Sequence, residues 1–283
     1  SSSRSAASNG ETGITMQSGS YIKADRTDGG SGAVGLYVNY GQVQVDNGST
    51  INVEKEATNV ATSTSSNFNT GIFTKDAGTS IENNGSIITG DNSYGIYGVG
   101  DITTGSNSLT KVGNNGVAIF STSSLLNLNG TVTVGQNEAV GLFTTGTNPV
   151  TINGNIQNFN IGDGSYGYVL MGSGGTTLLS NTPNVTVGND TVFAYSTDTT
   201  GNIENRATLT STGSKNYGIY SAGTVTNLGD INFGSGVGNV GMYSVSGGRV
   251  INGNTTIKPT ITVSASDKTN KLFGIGMAAG YTD

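Results

Sequence analysis

A small residue, an aliphatic residue and an aromatic residue recur in that order along this chain. Looser copies put the first position of each unit at residues 13, 35, 71, 95, 118, 141, 167, 193, 218, 241 and 274. Repeats of about 20 to 50 residues are typical of solenoids. The sequence therefore predicts a repeat array. Its clearest copies are Gly35-Leu36-Tyr37, Gly95-Ile96-Tyr97, Gly141-Leu142-Phe143, Gly218-Ile219-Tyr220 and Gly241-Met242-Tyr243.

Between successive motifs, short runs alternate between apolar and polar residues, and turns with Asn and Gly separate them. Alternation with a period of two, rich in Val, Ile and Thr, indicates strands of four or five residues, and no window has the 3.6-residue period of a helix. Three strands and three turns in about 24 residues make one coil of a parallel β-helix. We therefore predict an all-β parallel β-helix (β-solenoid), with glycine and asparagine supplying the positive φ angles of the corners.

The array is expected to form one domain over residues 13–280, because a thin coil buries its apolar face only by stacking on its neighbours. Residues 1–12 are expected to be a flexible lead-in or a vector-derived remnant, and residues 281–283 a tail. Eleven motif positions at a strand spacing of ~4.8 Å predict a rod about 50 Å long. Two long steps predict insertions near residues 54–70 and 252–271, the second with a small hairpin around Pro259.

The composition removes several kinds of chemistry. The chain has no Cys and no His, so thiol nucleophiles, thiolate zinc sites and the commonest general base are all missing. Its 12 Lys and Arg are scattered, and its formal charge is −6, whereas a nucleic-acid surface needs clustered basic residues. No apolar run is long enough to span a bilayer. We expect no enzymatic activity, no cofactor, no metal site, no nucleic-acid partner and a monomeric chain.

Three glycine-rich runs match the dinucleotide-binding motif G-x-G-x-x-G. They end at Gly35, Gly167 and Gly241, which are the repeat's own motif positions. The fingerprint requires a helix after the run, whereas a short strand is expected after each of these. We therefore interpret the runs as corners of the array.

Aspartates suggest two further kinds of site. Asp91 and Asp163 occupy comparable repeat positions three coils apart, which is too far for the acid and base of a glycosidase. Carboxylates on other faces leave a β-helical polysaccharide lyase or glycosidase as an alternative. Asp91, Asp163, Asp190 and Asp230 sit near glycine-rich corners, but calcium needs several carboxylates in one place, so isolated turn aspartates are the better interpretation.

The aromatic residues of the repeat form a column whose direction the sequence leaves open. We favour aliphatic residues inside and aromatic residues outside, because Val, Ile and Leu fill a narrow core without a hydroxyl to satisfy. Strand alternation then places Val34 with Leu36, and Tyr94 with Ile96, on the face opposite the column. The column comprises Tyr37, Phe73, Tyr97, Phe120, Phe143, Tyr195, Tyr220 and Tyr243.

Units such as Gly90-Asp91-Asn92-Ser93-Tyr94-Gly95-Ile96-Tyr97 and Thr131-Val132-Thr133-Val134-Gly135 resemble those in passenger domains of large type V autotransporter adhesins, above all fusobacterial ones. The likeness runs from about Gly13 to Gly280. It implies a secreted, right-handed β-helix, displayed at the outer membrane by a separate barrel and used in virulence for attachment to bacteria or host cells. The chain would then be a passenger fragment that binds a protein or glycan receptor, or that spaces the part that does.

Other surface structural proteins, such as a tailspike shaft or an ice binder, remain alternatives. Regular Thr-x-Thr columns would favour ice binding, but such triplets do not occur in every coil. If the fragment binds a partner, we expect the contacts on the two insertions, because specificity needs projecting, irregular side chains on a rigid scaffold. The candidate contact residues are Lys55, Phe68, Lys258, Lys268 and Lys271.

Overall fold

The computed structural model describes residues 13–23, 32–53, 69–245 and 247–280. Every regular element in these ranges is a β-strand, and the strands stack as a parallel β-helix of about nine turns with about 25 residues per turn. The predicted fold class is therefore confirmed. The expected lead-in, residues 1–12, and the expected tail, residues 281–283, lie outside the described residues.

Each coil contributes one strand to each of three faces, which we call sheets A, B and C. Sheet A contains β1 (Gly13–Met16), β4 (Gln42–Val45), β7 (Ser80–Asn83), β10 (Asp101–Thr104), β13 (Leu125–Leu128), β16 (Val150–Gly154), β19 (Thr176–Ser180), β22 (Asn202–Asn205), β25 (Thr224–Asn227) and β28 (Arg249–Asn252).

Sheet B is formed by two runs of strands whose hydrogen bonding is interrupted between β17 and β20. The first run is β2 (Tyr21–Lys23), β5 (Thr50–Val53), β8 (Ser86–Thr89), β11 (Leu109–Lys111), β14 (Thr131–Val134) and β17 (Asn158–Ile161). The second is β20 (Asn184–Val187), β23 (Thr208–Ser211), β26 (Ile231–Phe233) and β29 (Ile261–Val263).

Sheet C carries the repeated aromatic motif. It contains β3 (Val34–Val38), β6 (Thr70–Thr74), β9 (Tyr94–Gly98), β12 (Val117–Ser121), β15 (Val140–Thr144), β18 (Tyr166–Leu170), β21 (Val192–Ser196), β24 (Tyr217–Ser221), β27 (Val240–Val245) and β30 (Ile275–Gly280). Ten strands at a spacing of ~4.8 Å give a stack about 43 Å long.

The strand register corrects two of the motif positions. Gly13 lies in sheet A and pairs with Gln42, so it does not begin a motif. In the last coil Met242 pairs with Met277, which makes Gly276, and not Gly274, the equivalent of Gly241. Both positions were assigned from the local sequence motif. Structural equivalence depends instead on which residues pair across neighbouring strands.

The interior is filled by aliphatic side chains from all three sheets. Ile72, Ile96, Ile119 and Ile219 on sheet C are all fully buried, which confirms that the aliphatic residue of the motif points inward. The motif glycine has to be small because the next coil passes close to it. A Cβ on Gly241, for example, would lie 2.5 Å from the carbonyl oxygen of the following coil. Side chains occupy this position in two coils, at Ala118 and Phe193.

Buried amides connect successive coils at the corner between sheets A and B. Asn205 Nδ2 donates to Asn227 Oδ1, and Asn227 Nδ2 donates to Asn252 Oδ1, each at 2.8 Å. Asn205 and Asn227 are fully buried, so these bonds satisfy groups that water cannot reach. The ladder holds the last coils in register.

The first predicted insertion falls largely in residues 54–68, which lie outside the described residues. The second is split between two turns of the last described coil, residues 253–260 and 264–274. The expected hairpin around Pro259 is wrong, because residues 261–263 form β29, which pairs in parallel with β26. The short antiparallel contact in this region joins Asp267 and Leu272.

Candidate binding face

The corner between sheets B and C explains the glycine-rich runs. At least one residue in each described corner adopts a positive φ there, and Gly32, Gly164 and Gly238, the middle glycines of the three G-x-G-x-x-G runs, have φ of 76°, 68° and 69°. A strand of sheet C follows each run. Phosphate binding by such a run depends on the N-terminus of a helix, so these runs serve as corners.

A ladder of side-chain oxygens follows the same corner. Asp91 Oδ1 accepts the N–H of Asn114 at 2.7 Å, and Asn114 Oδ1 accepts the N–H of Gln136 at 2.8 Å. Asp163 Oδ1 accepts the N–H of Asn189 at 2.9 Å. Asp91 and Asp163 thus lie three coils apart as expected, about 14 Å at the strand spacing, and both bind backbone. Within the described ranges, no group of three or more His, Cys, Asp or Glu is placed to hold a metal ion.

Asp198 is a carboxylate that the sequence did not single out. It is 1% exposed at the corner between sheets C and A, where it accepts hydrogen bonds from the N–H groups of Gly175, Thr176 and Thr200 and from the Thr200 hydroxyl. Burial raises the pKa of this carboxyl, but the hydrogen bonds outweigh it, so the pKa is lowered overall. The bonds from Gly175 and Thr176, which lie in the preceding coil, tie two coils together through this carboxylate.

The candidate contact residues of the insertions are not brought together. Lys258 lies in the turn between β28 and β29, whereas Lys268 and Lys271 lie in the turn between β29 and β30. All three side chains are exposed, on two different corners of one coil. Lys55 and Phe68 lie outside the described residues. The assignment of partner contacts to the insertions therefore stays a prediction.

The aromatic column lies on the outside of sheet C, as favoured from the sequence. Tyr37 is 54% exposed, and the other rings of the column are partly exposed. The rings stack from coil to coil, with centroids 4.5 to 5.5 Å apart and planes within 18° of parallel. Burial and the neighbouring Tyr195, Tyr243 and Tyr217 raise the pKa of Tyr220. The rings thus stack in two ordered runs, Tyr37 to Phe143 and Tyr195 to Tyr243.

A second outward row, three residues before the ladder, was assigned to the wrong face from the sequence. Tyr94 meets Tyr97 and Phe120 edge to face, with centroids 5.4 and 6.0 Å away, so it lies outside and not beside Ile96 in the core. Val34 is likewise 39% exposed. Alternation fails because the motif glycine and the next residue both point inward.

Gly35 shows this geometry directly, since a Cβ there would lie 2.4 Å from the core side chain of Ile51. The sequence signal for the second row was present in the recurrence of Val or Tyr three residues before every ring except Phe73, which follows Thr70.

Val169 interrupts the ladder in the sixth coil. It takes the outward position, while its neighbour Tyr168 points inward and packs edge to face against Phe159 and Phe193, with centroids 5.2 and 5.5 Å away. Burial raises the pKa of Tyr168 to about 12, against the opposing influence of the nearby Thr182 hydroxyl. The ladder therefore has a five-ring segment, from Tyr37 to Phe143, and a three-ring segment after the gap.

The two outward rows of sheet C together contain no charged residue. We call these 20 residues the aromatic face; four of them, Thr70, Val140, Val169 and Val240, are buried by their neighbours. Sheet A, by contrast, presents Glu82 and Arg249 to solvent, and sheet B presents Lys111. The face comprises Val34, Thr70, Tyr94, Val117, Val140, Tyr166, Val192, Tyr217, Val240 and Ile275 in one row, and Tyr37, Phe73, Tyr97, Phe120, Phe143, Val169, Tyr195, Tyr220, Tyr243 and Ala278 in the other.

The Thr-x-Thr triplets do not share one face. Thr131 and Thr133 lie on β14 and Thr208 and Thr210 on β23, both in sheet B, whereas the triplet that begins at Thr224 lies on β25 in sheet A. An ordered threonine surface over all coils is therefore not formed by these triplets.

Comparison with protein-family models, with curated proteins and with solved structures gives no match to this chain. In the described ranges, no helix has the length and apolar character needed to cross a membrane.

Proposed function

We propose that this chain is an extracellular attachment segment, a rigid rod that holds a binding face toward another bacterium or a host cell. The observation that carries the proposal is the aromatic face, which extends over all ten strands of sheet C, is free of charge and is held in position by that sheet. The largest apolar patch of a typical monomer measures about 300–600 Å² and is often functional. At ~43 Å by about 10 Å, the aromatic face covers about 400 Å².

The repeat architecture supports the same proposal. A β-solenoid projects its faces without internal hinges, because each coil contacts only its neighbours and every strand continues a sheet. The resemblance of the repeat units to autotransporter passenger domains adds display at the cell surface by an outer-membrane anchor. The two insertions are the second candidate surface of the same segment.

Attachment is tested with beads coated with the chain and incubated with bacterial and epithelial cells. Tyr97→Lys places a charge in the aromatic face, and Thr133→Lys places the same charge on sheet B as a matched control. We expect the parent and the control to hold cells and the Tyr97 variant to lose most attachment. The proposal fails if beads with the parent chain hold no more cells than beads with albumin.

A third variant distinguishes the aromatic face from the insertions as the contact surface. Shortening the turn of residues 253–260 to four residues removes Lys258 while leaving β28 and β29 in place. If this form loses attachment and the Tyr97 variant keeps it, the insertion and not the aromatic face is the contact surface, and attachment itself still stands.

A further inference from the structure

Asparagine followed by glycine is a dipeptide at which a protein chain can modify itself. The backbone nitrogen of the second residue attacks the side-chain amide carbon of the first, and glycine has no Cβ to hinder the approach. A pair of this kind at Asn9 lies outside the described residues. The structure describes six others, which begin at Asn47, Asn84, Asn115, Asn129, Asn153 and Asn252.

Five of these six pairs are held in a form that blocks the attack. The N–H groups of four glycines donate hydrogen bonds of 2.7 to 3.3 Å, in Gly85, Gly116, Gly130 and Gly253. The fifth glycine, Gly154, belongs to β16, which is paired with β13 on one side and β19 on the other. All five glycines are buried. Attack by their nitrogens therefore requires the backbone to open first.

The pair Asn47-Gly48 is free of these restraints. It forms the turn between β4 and β5, which is closed by a hydrogen bond of 3.0 Å from the Ser49 N–H to the Asp46 carbonyl oxygen. Asn47 and Gly48 are both exposed. In the part of the chain that the structure describes, neither the Gly48 N–H nor the Asn47 amide has a hydrogen-bond partner. The φ of 83° at Gly48 is that of a type II turn, whose central peptide group rotates without breaking the closing bond.

We propose that Asn47 deamidates spontaneously in the folded protein, with water as the only other reactant. The Gly48 nitrogen gives its proton to hydroxide and forms a bond to Asn47 Cγ. The bond from Cγ to Nδ2 then breaks, and Nδ2 takes up a proton and leaves as ammonia. Water opens the resulting five-membered ring at either of its two carbonyl carbons. One product is aspartate, and the other is isoaspartate, in which the main chain runs through Cγ.

The modified residue lies where the first two coils are joined. The Ser49 hydroxyl donates to the carbonyl oxygens of Met16 and Gln17, at 3.2 and 2.9 Å. The Asp46 N–H also donates to Met16 O, at 2.9 Å. Both products add a negative charge next to Asp46, but only isoaspartate adds a methylene group to the main chain between these anchored residues. Isoaspartate should therefore loosen the contact of this turn with the first coil.

The test is incubation of the whole folded chain at pH 8, followed by peptide mapping with mass spectrometry. We expect Asn47 to convert at least about tenfold faster than Asn115, the other exposed asparagine of the six pairs. Opening the hydrogen bond of Gly116 at a cost of about 1.4 kcal/mol accounts for that factor. Conversion should be slower at pH 6, because hydroxide removes the proton.

The chain unfolded in guanidinium chloride is the matched control for the effect of the fold. All six pairs should convert at similar rates there, because unfolding frees every glycine N–H. If the six pairs also convert at equal rates in the folded chain, or if Asn47 stays intact for the time in which the unfolded chain reacts, the inference is wrong. Formation of aspartate without isoaspartate would exclude the ring and overturn the proposed route.

Two variants test the effect on the first coil. Asn47→Gln removes the reactive pair and should abolish conversion in this turn. Freshly prepared Asn47→Asp carries the new charge without the added methylene group. Amide hydrogen exchange in β1 should be at least about tenfold faster in the isoaspartate form than in the parent, and unchanged in fresh Asn47→Asp. Equal exchange in all forms would overturn the inferred loosening, and faster exchange in fresh Asn47→Asp would show that charge, and not backbone length, causes it.

Discussion

Replacing Ile219 and Tyr220 in turn with aspartate tests the orientation of the sheet C motif. Ile219 is fully buried between Ala194 and Met242 of the neighbouring coils, whereas Tyr220 is partly exposed in the ladder. In Ile219→Asp, loss of apolar burial costs about 2–3 kcal/mol. Burial that raises the carboxyl pKa by ~3 units adds about 4 kcal/mol at neutral pH. The sum of about 6–7 kcal/mol approaches the stability of a typical domain.

Tyr220→Asp has a much smaller expected effect. It removes two stacking contacts, each worth about 0.5–1.5 kcal/mol, and leaves its carboxylate in water. We therefore expect Tyr220→Asp to unfold at a urea concentration close to that of the parent. Ile219→Asp should show early unfolding of the coils around β24. Urea titration followed by circular dichroism measures both.

The pH dependence identifies the cause of the Ile219 effect. A buried carboxyl has a folded pKa above its unfolded value of about 3.9, so its ionisation destabilises the protein only above that pH. At pH 3 the penalty should fall to that of Ile219→Asn, measured at the same pH as a control. Equal unfolding of the Ile219 and Tyr220 variants at neutral pH would refute the reasoning.

Three further changes probe the contacts between coils. Asp198→Asn should cost about 1–3 kcal/mol at pH 7. Because the folded pKa of Asp198 is lowered, its carboxylate contributes its full stabilisation above the unfolded pKa of 3.8. In urea titrations the difference from the parent should shrink as the pH falls below that value toward the folded pKa. Asn227→Ala removes one of the two acceptors of Asn205 Nδ2 and the donor to Gly229 O and Asn252 Oδ1, and it should lower stability by about 1–3 kcal/mol in the same assay. An unchanged midpoint would show that water replaces the amide. Gly241→Ala should cost about 1–3 kcal/mol because its Cβ would meet a carbonyl at 2.5 Å, whereas Gly276→Ala, with its nearest atom at 3.9 Å, should change the melting temperature little. Equal effects at the two glycines would contradict the close-approach argument.

The candidate site was predicted less completely than the fold. The ladder of rings was found from the motif, but the second row at Tyr94 and the charge-free character of the whole face required knowledge of which residues point outward. The lysines of the insertions drew attention because they are the charged residues of irregular segments. In the structure Lys258 and Lys268 lie on separate corners, and sequence distance gave no measure of that.

The sequence by itself determined the period, the three strands per coil and the inward direction of Ile219, because each of these repeats and each follows from the alternation of a strand. The tertiary structure decided the phase at both ends, where Gly13 and Gly276 are defined only by their pairing, and the outward position of Tyr94. It also decided the exchange that buries Tyr168. These features depend on the next coil, whose backbone lies against the motif glycine and whose side chains share the same core. Local pattern gives the direction of a side chain in an isolated strand, and stacking changes that direction where two coils meet.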